Sequence, residues 1–222
     1  MNTRATLPLA LVLSAFAFPA CYDVDEKIVL KEDLSGAISM VVTVTAPEGE
    51  RITREEFERD QGSQLAGARA EAEEQLPEGV RLREFAFDWV DERHFAFRMA
   101  MDFDHLRLLE EIKDPEEGED GDPKTEPSTA PTASLAEIEV EEREDRWIVR
   151  LQLAQKAEKE EGEPFVNPKE YEGKTFRLRL ESSARILSHN GEEKDGAILW
   201  EKKMTEIVSA PADIYAEWEV AK

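Results

Sequence analysis

Apolar side chains return at every second position through much of this chain. Phe85, Phe87 and Trp89 alternate with small or charged residues. Beyond Asp91, Glu92 and Arg93 the same beat continues through Phe95, Phe97, Met99, Met101 and Phe103. A side-chain period of two belongs to a β-strand, whose successive residues point to opposite faces, so these two runs and the short turn between them predict a hairpin with one strongly apolar face. The pattern recurs in Ile138 and Val140, in Trp147, Val149, Leu151 and Leu153, and in Phe176, Leu178 and Leu180. It returns near the end in residues 197–200 and in Ile214, Ala216, Trp218 and Val220. Strands that alternate in this way build sheets with one wet face, which are antiparallel as a rule.

Two further elements follow from local signals. Residues 27–30 and 37–45 are rich in Val and Ile on either side of "LSG", where Ser35 and Gly36 supply a tight turn, so a first hairpin is expected there. Thr53 and Glu56 then stand at the spacing of a capping box, with Ile52 and Phe57 at the two positions of a hydrophobic staple. A helix is predicted from this point, with Phe57, Leu65, Ala68, Ala72 and Leu76 along one face and Pro77 and Gly79 as its stop. Gly62 and Gly67 weaken it by roughly 1 kcal/mol each relative to alanine, so it needs a sheet to lie on. A brief helix is expected over 105–112. The fold class is therefore α+β: antiparallel β-sheets of hairpins with one main helix packed on a sheet.

Two stretches break the pattern. Residues 114–134, "DPEEGEDGDPKTEPSTAPTAS", hold no large apolar side chain that could offset the entropy of ordering them, and a long acidic disordered insertion is expected. Residues 156–173 are similar in composition but contain Phe165, Val166 and Tyr171, which predicts an excursion touching the fold at those side chains. The organisation expected is a signal peptide over 1–20, a β-β-α-β-β region over 21–113, the linker over 114–134, and a β-rich region of the same domain over 135–222.

The opening residues say where such a domain works. Residues 5–18 are mostly apolar but fall short of the ~20 needed to cross a bilayer core. Arg4 and the amino terminus precede them and small residues follow, the three-part pattern of an export signal. Phe18, Pro19, Ala20 and Cys21 resemble the lipobox of bacterial lipoproteins, with phenylalanine where that family usually has leucine. The resemblance implies that Cys21 is acylated and becomes the new N-terminus, carrying several chains. Cys21 is the sole cysteine of the 222 residues. It has no internal disulfide partner, and left unmodified it would be a reactive leftover in an oxidising compartment. The plainer alternative is an incidental thiol in a signal peptide or an uncleaved anchor. Tyr22, where enteric lipoproteins retained at the inner membrane have aspartate, implies delivery to the outer membrane.

Charge excludes some partners. Beyond residue 20 there are 27 basic residues against 51 acids, a net −24. That charge repels phosphate backbones and anionic head groups, so neither nucleic-acid binding nor basic-patch membrane binding is expected. Attachment through lipid on Cys21 is the membrane mode it does not oppose.

A second resemblance covers most of the chain beyond Cys21. The strand-turn-strand "IVLKEDLSGAISMVVTV", the helix and hairpin after it, and the late "LSHNGEEKDGAILWE", with Asn190-Gly191, Gly196 and Trp200 marking a hairpin, are similar to the LppM-type domain of bacterial lipoproteins. The resemblance implies an envelope-anchored α+β domain with a hydrophobic ligand proposed for some members. The acidic linker departs from it.

Catalytic equipment is sparse. His94, His105 and His189 are scattered without metal-ligand spacing, the serines lack a nucleophile elbow, and "EEGEDGD" lacks the spaced ligands of a calcium loop. No metal or cofactor is expected, and no catalytic residue is assigned. Trp89, Trp147, Trp200 and Trp218 all fall on predicted strands, and either they fill a core or, with Phe95, Phe97 and Met99, they line a cavity for an acyl chain. Trp89, Phe95, Phe97 and Met99 are the candidate cavity residues. The expected function is a membrane-anchored, non-catalytic binding or scaffold module of the cell envelope, for a hydrophobic ligand or a protein partner. It would face the periplasm or the exterior. The alternative is an envelope hydrolase whose carboxylate pair is hidden among the many acids.

Overall fold

The computed structural model describes residues 21–46, 49, 51–111, 137–143, 146–153, 171–207 and 212–219. The predicted linker over 114–134, the signal segment over 1–20, and Phe165 and Val166 lie outside the described residues. In chain order the elements are β1 (Cys21–Leu30), β2 (Gly36–Thr45), α1 (Arg54–Gln75), β3 (Val80–Asp91), β4 (His94–Phe103), a 3-10 turn (Leu106–Glu111), β5 (Glu137–Arg143), β6 (Arg146–Leu153), β7 (Thr175–Ser182), β8 (Ile186–His189), β9 (Glu192–Lys194), β10 (Ala197–Lys203), α2 (Met204–Ile207) and β11 (Ala212–Glu219). Among the described residues the strands form a large sheet in the order β3-β4-β2-β1-β7-β10-β9 and a small one in the order β5-β6-β11-β8. The α+β class holds.

Local signals place the N-terminal half. Thr53 Oγ1 accepts from the Glu56 amide at 3.3 Å while Glu56 Oε2 accepts from the Thr53 amide at 3.0 Å, closing the predicted capping box. Such a cap is worth about 1 kcal/mol. The staple is present too, since Ile52 and Phe57 belong to one apolar cluster and the Phe57 ring stacks on Phe95 at 5.2 Å. With Phe57 and Ala72 buried and Ala68 and Leu76 partly so, α1 lies on the face of β3 and β4 that carries Phe85, Phe97 and Met99.

Three expectations are corrected. The first strand begins at Cys21 and not at Lys27: Tyr22, Val24 and Glu26 continue the inward row of Ile28 and Leu30, while Asp23 and Asp25 point outward. The acids hid the alternation. Next, the run Phe176, Leu178, Leu180 does not join the later sheet but crosses to the first one, where β7 pairs with β1 in parallel, Val24 opposite Phe176 and Ile28 opposite Leu180. Period two reports that a strand has two unlike faces, and it carries no information about the neighbour's direction or distance along the chain. The expectation of wholly antiparallel sheets is therefore wrong at this pair, although every other strand pair among the described residues is antiparallel. Finally, of the residues marking the late hairpin Gly196 stands in its turn, where Asp195 and Gly196 both have positive φ (50° and 73°) as a primed turn requires, whereas Asn190-Gly191 lies before β9 and outside the hairpin.

Asn190-Gly191 instead carries the chain from the small sheet to the large one. The Asn190 side-chain oxygen accepts from Trp200 Nε1 at 2.7 Å and from the Tyr215 amide at 2.9 Å, and its Nδ2 donates to the Asp213 carbonyl at 3.1 Å. One side chain thus ties β10 of the large sheet to β11 of the small one. The neighbouring glycine is needed for space, because a Cβ there would stand 2.6 Å from the Trp200 ring and 2.5 Å from Ile198. Gly191→Ala is expected to cost about 1–3 kcal/mol through overpacking. An unchanged urea midpoint would refute that close approach.

Candidate functional site

The large sheet turns its apolar face inward, and two different covers share it. On one half α1 lies over β3 and β4. On the other half the small sheet packs over β1, β7 and β10, with Val149, Ile214, Ala216 and Trp218 meeting Ile28, Leu180 and Trp200 across the layer. Between the two sheets remains an apolar gap of about 20 Å³. A gap of that size admits one water at most, and its apolar lining offers a water no hydrogen-bond partner.

The sequence-predicted cavity residues stand elsewhere. Phe95, Phe97 and Met99 are buried on the inward side of β4. Phe97 meets the rings of Phe85 and Phe87 at 5.2 and 4.8 Å, and Phe95 stacks on Phe57. Trp89 packs beside them and donates Nε1–H to the Ile52 carbonyl at 3.2 Å. These four join under α1, and none of them lines the gap. Of the other tryptophans, Trp200 and Trp218 do line it. Trp147 is half-buried, with the Arg107 guanidinium 4.9 Å from its ring centre and His105 at 5.3 Å.

At the join of the two covers stands a residue the sequence reading passed over. Glu26 is only 5% exposed, on the central strand of the seven. Its cross-strand row runs Phe85, Met99, Met40, Glu26, Leu178, Trp200, so apolar side chains flank it on both sides. Above and below it along β1 are Val24 and Ile28, equally buried. Desolvation pushes its carboxyl up to about 7. An acid at an inward position of an otherwise apolar row, Tyr22-Val24-Glu26-Ile28-Leu30, was the signal that could have found it.

The other buried charge among the described residues is Glu217, and it is treated oppositely. Tyr215 Oη donates to Glu217 Oε2 at 2.5 Å and Arg146 Nη1 donates to Oε1 at 2.6 Å, which together hold that carboxyl below its ordinary range. Glu217 pairs with Ile148 on the outer side of the small sheet, whereas Ala216 and Trp218 face inward. The two carboxyls therefore do not converge. Among the described residues no three His, Cys, Asp or Glu side chains gather as metal ligands do.

Cys21 opens β1, opposite Thr45 of β2. The strand end behind it is clamped: Lys174 Nζ donates to Asp23 at 3.3 Å and to Thr45 at 2.9 Å, and the Thr175 amide donates to Asp23 at 2.9 Å. The buried Tyr22 ring meets Tyr171 edge-on at 5.5 Å, so Tyr171 touches the fold as predicted. Among the described residues no helix is long and apolar enough to cross a membrane.

No protein-family model matches the chain, and no curated protein matches its sequence. Among solved structures, the chain is similar to the folded domain of LppM from Mycobacterium tuberculosis, determined by NMR, over 90% of this chain and 91% of that one, with a TM-score of 0.49 and 10% identity. It is also similar to an M1 zinc metallopeptidase from Deinococcus radiodurans over 89% of this chain and 41% of that one, with a TM-score of 0.26 and 7% identity. Neither bears on function.

Proposed function

We propose that this chain is exported, acylated on Cys21 and held at the cell envelope, where its domain serves as a non-catalytic binding module for a hydrophobic ligand. The observation that carries the reading is the place of Cys21 on β1, paired with Thr45 of β2. Lipid on the residue that the lipobox pattern marks for acylation would thus be joined directly to the central strand of the large sheet. Tyr22 following the cysteine favours the outer membrane. The acidic surface then keeps the domain clear of anionic head groups.

The non-catalytic part rests on the two buried carboxyls. A glycosidase-type mechanism needs a pair held across a cleft, about 5–10 Å apart. Glu26 and Glu217 belong to different sheets and face different ways. For the ligand, the support is an aromatic and apolar inward face with an apolar gap between the two sheets.

Intact-mass analysis of the membrane fraction is expected to show a chain beginning at Cys21 with added acyl mass, and Cys21→Ala to abolish that species. An unmodified chain starting elsewhere would sink the anchor. Native mass spectrometry of the protein purified from a bacterial envelope is expected to show a retained lipid-like mass. A clean apo mass would leave a tethered protein-interaction module in its place.

A further inference from the structure

Glu26 contributes nothing to the fold that an apolar side chain would not do better. It makes no hydrogen bond or ion pair with any described residue, and burial is the sole cause acting on its carboxyl. Its neighbours have no hydrogens to lend: Met40 and Leu178 flank it, the Trp200 N–H is given to Asn190, and the Tyr22 hydroxyl is engaged with Tyr171. Its oxygens are not sealed off, since among the described residues no fully buried side-chain oxygen lacks a partner, but ionising a carboxyl in such apolar surroundings still costs free energy. The small sheet presents only apolar side chains at the layer beside it, from Val149 to Trp218, and the part of α1 described over this face presents Ala68 and Ala72. The one described cation on the same face, Lys202, stands two strands away on β10, in the row of Phe176 and Val24, and exerts no pull on Glu26.

The place is reachable in principle. Glu26 retains a sliver of exposure, and it lies one row from the 20 Å³ gap, whose lining includes its own neighbours Ile28, Leu178 and Trp200. The gap lies between two layers that share no strand pair, so a molecule could widen it without breaking a ladder. Outside, 51 acids against 28 basic residues set up a field that gathers cations and turns anions away.

We infer that Glu26 is the polar anchor of a ligand site beside this gap, and that the ligand is an apolar molecule ending in a cationic amine, whose N–H is donated to the Glu26 carboxylate. The inference rests on the binding-module reading above and adds the class of ligand. An anionic head would meet both the outer field and the carboxyl. A hydroxyl head would make one neutral hydrogen bond, whereas an ammonium makes a charge-assisted one of about twice the strength. The pairing is balanced in protons. Below neutral pH the free Glu26 holds its proton and the amine holds its own; on binding, the carboxyl gives its proton to solvent and the ammonium keeps all of its hydrogens.

The test is calorimetry of octylamine, octanol and octanoate with the protein purified from the envelope, against Glu26→Gln, at pH 6 in two buffers of different ionisation enthalpy. Octylamine is expected to bind the unaltered protein at least tenfold more tightly than the glutamine variant, with close to one proton released per amine. The variant should release none, and octanol should bind both alike. Equal octylamine binding by the two proteins, or binding without proton release, would overturn Glu26 as the anchor and leave the binding-module reading standing. Octanol or octanoate bound more tightly than octylamine by the unaltered protein would overturn the amine. If none of the three binds, while circular dichroism shows both proteins folded, the inference and the reading beneath it both fall.

Discussion

Between pH 4.5 and 7 the unaltered protein is expected to lose about 3 kcal/mol of stability that its Glu26→Gln variant keeps. The sign follows from the direction of the shift. A glutamate near 4.5 in the unfolded chain is pushed up to about 7 in the fold, so within that window the folded state holds a proton the unfolded state has released. Stability therefore falls as pH rises, by about 1.4 kcal/mol per unit, and levels off above neutral. Groups held low, such as Glu217 beneath Tyr215 and Arg146, act in the opposite sense and below this window, because their contribution is lost as pH falls. Comparing the two proteins at each pH removes those common terms. Urea unfolding at pH 4.5 and pH 8 decides the matter. Near-equal stabilities at the lower pH and a gap of about 3 kcal/mol in favour of glutamine at the higher one are expected. A gap independent of pH would mean that Glu26 is solvated or paired. Glu26→Leu should exceed the unaltered protein at both, since it removes the unpaired polar group altogether.

The largest single loss is expected at Trp218. It is 1% exposed on β11, lines the gap between the sheets, and donates Nε1–H to Ser182 Oγ of β7 at 3.1 Å. Trp218→Ala would widen that gap and take the indole N–H away from Ser182 Oγ, which itself donates to the Ala184 carbonyl at 3.2 Å. Truncations of this kind cost about 3–5 kcal/mol, a large part of the 5–15 kcal/mol margin of an ordinary domain. Trp218→Phe keeps most of the volume and loses the hydrogen bond, at about 1 kcal/mol. Equal effects of the two substitutions in urea unfolding would show that packing between the sheets is not what Trp218 supplies.

The parts of this fold legible in the sequence were those written locally. Thr53, Glu56, Ile52 and Phe57 lie within six residues, and they start α1 where expected. The β3-β4 hairpin was equally plain, because one turn joins two runs of the same period. What escaped depended on distant pairing. Nothing in "TFRLRLES" says that its partner is β1, since the side chains that meet, such as Leu180 and Ile28, are ordinary core residues on both strands. Glu26 was legible only in part. The alternation that frames it was broken by Glu26 itself, so the residue that makes the site unusual also concealed the strand on which it sits. The tryptophans show the same limit, for period two placed all four on strands while the split between Trp200 and Trp218 at the gap and Trp89 under α1 is decided by which cover lies above.

The parallel pairing of β1 with β7 sets an order of events during synthesis. Asp23 and Thr175, joined by a hydrogen bond in the finished domain, are 152 residues apart. A ribosome delivers β1, β2, α1, β3 and β4 long before β7, and domains begin to fold as their N-terminal parts emerge. Throughout that interval the middle strand of the eventual sheet is an open edge, with its backbone groups free to pair with any other chain. Closing it is a contact of very long range, the kind that slows folding most. Charged side chains on an edge discourage such mispairing, and β1 carries Asp23, Asp25 and Lys27 on its outward side. In the finished fold the same three side chains are met by Lys174, Arg177 and Glu181 on and beside the strand that closes the edge.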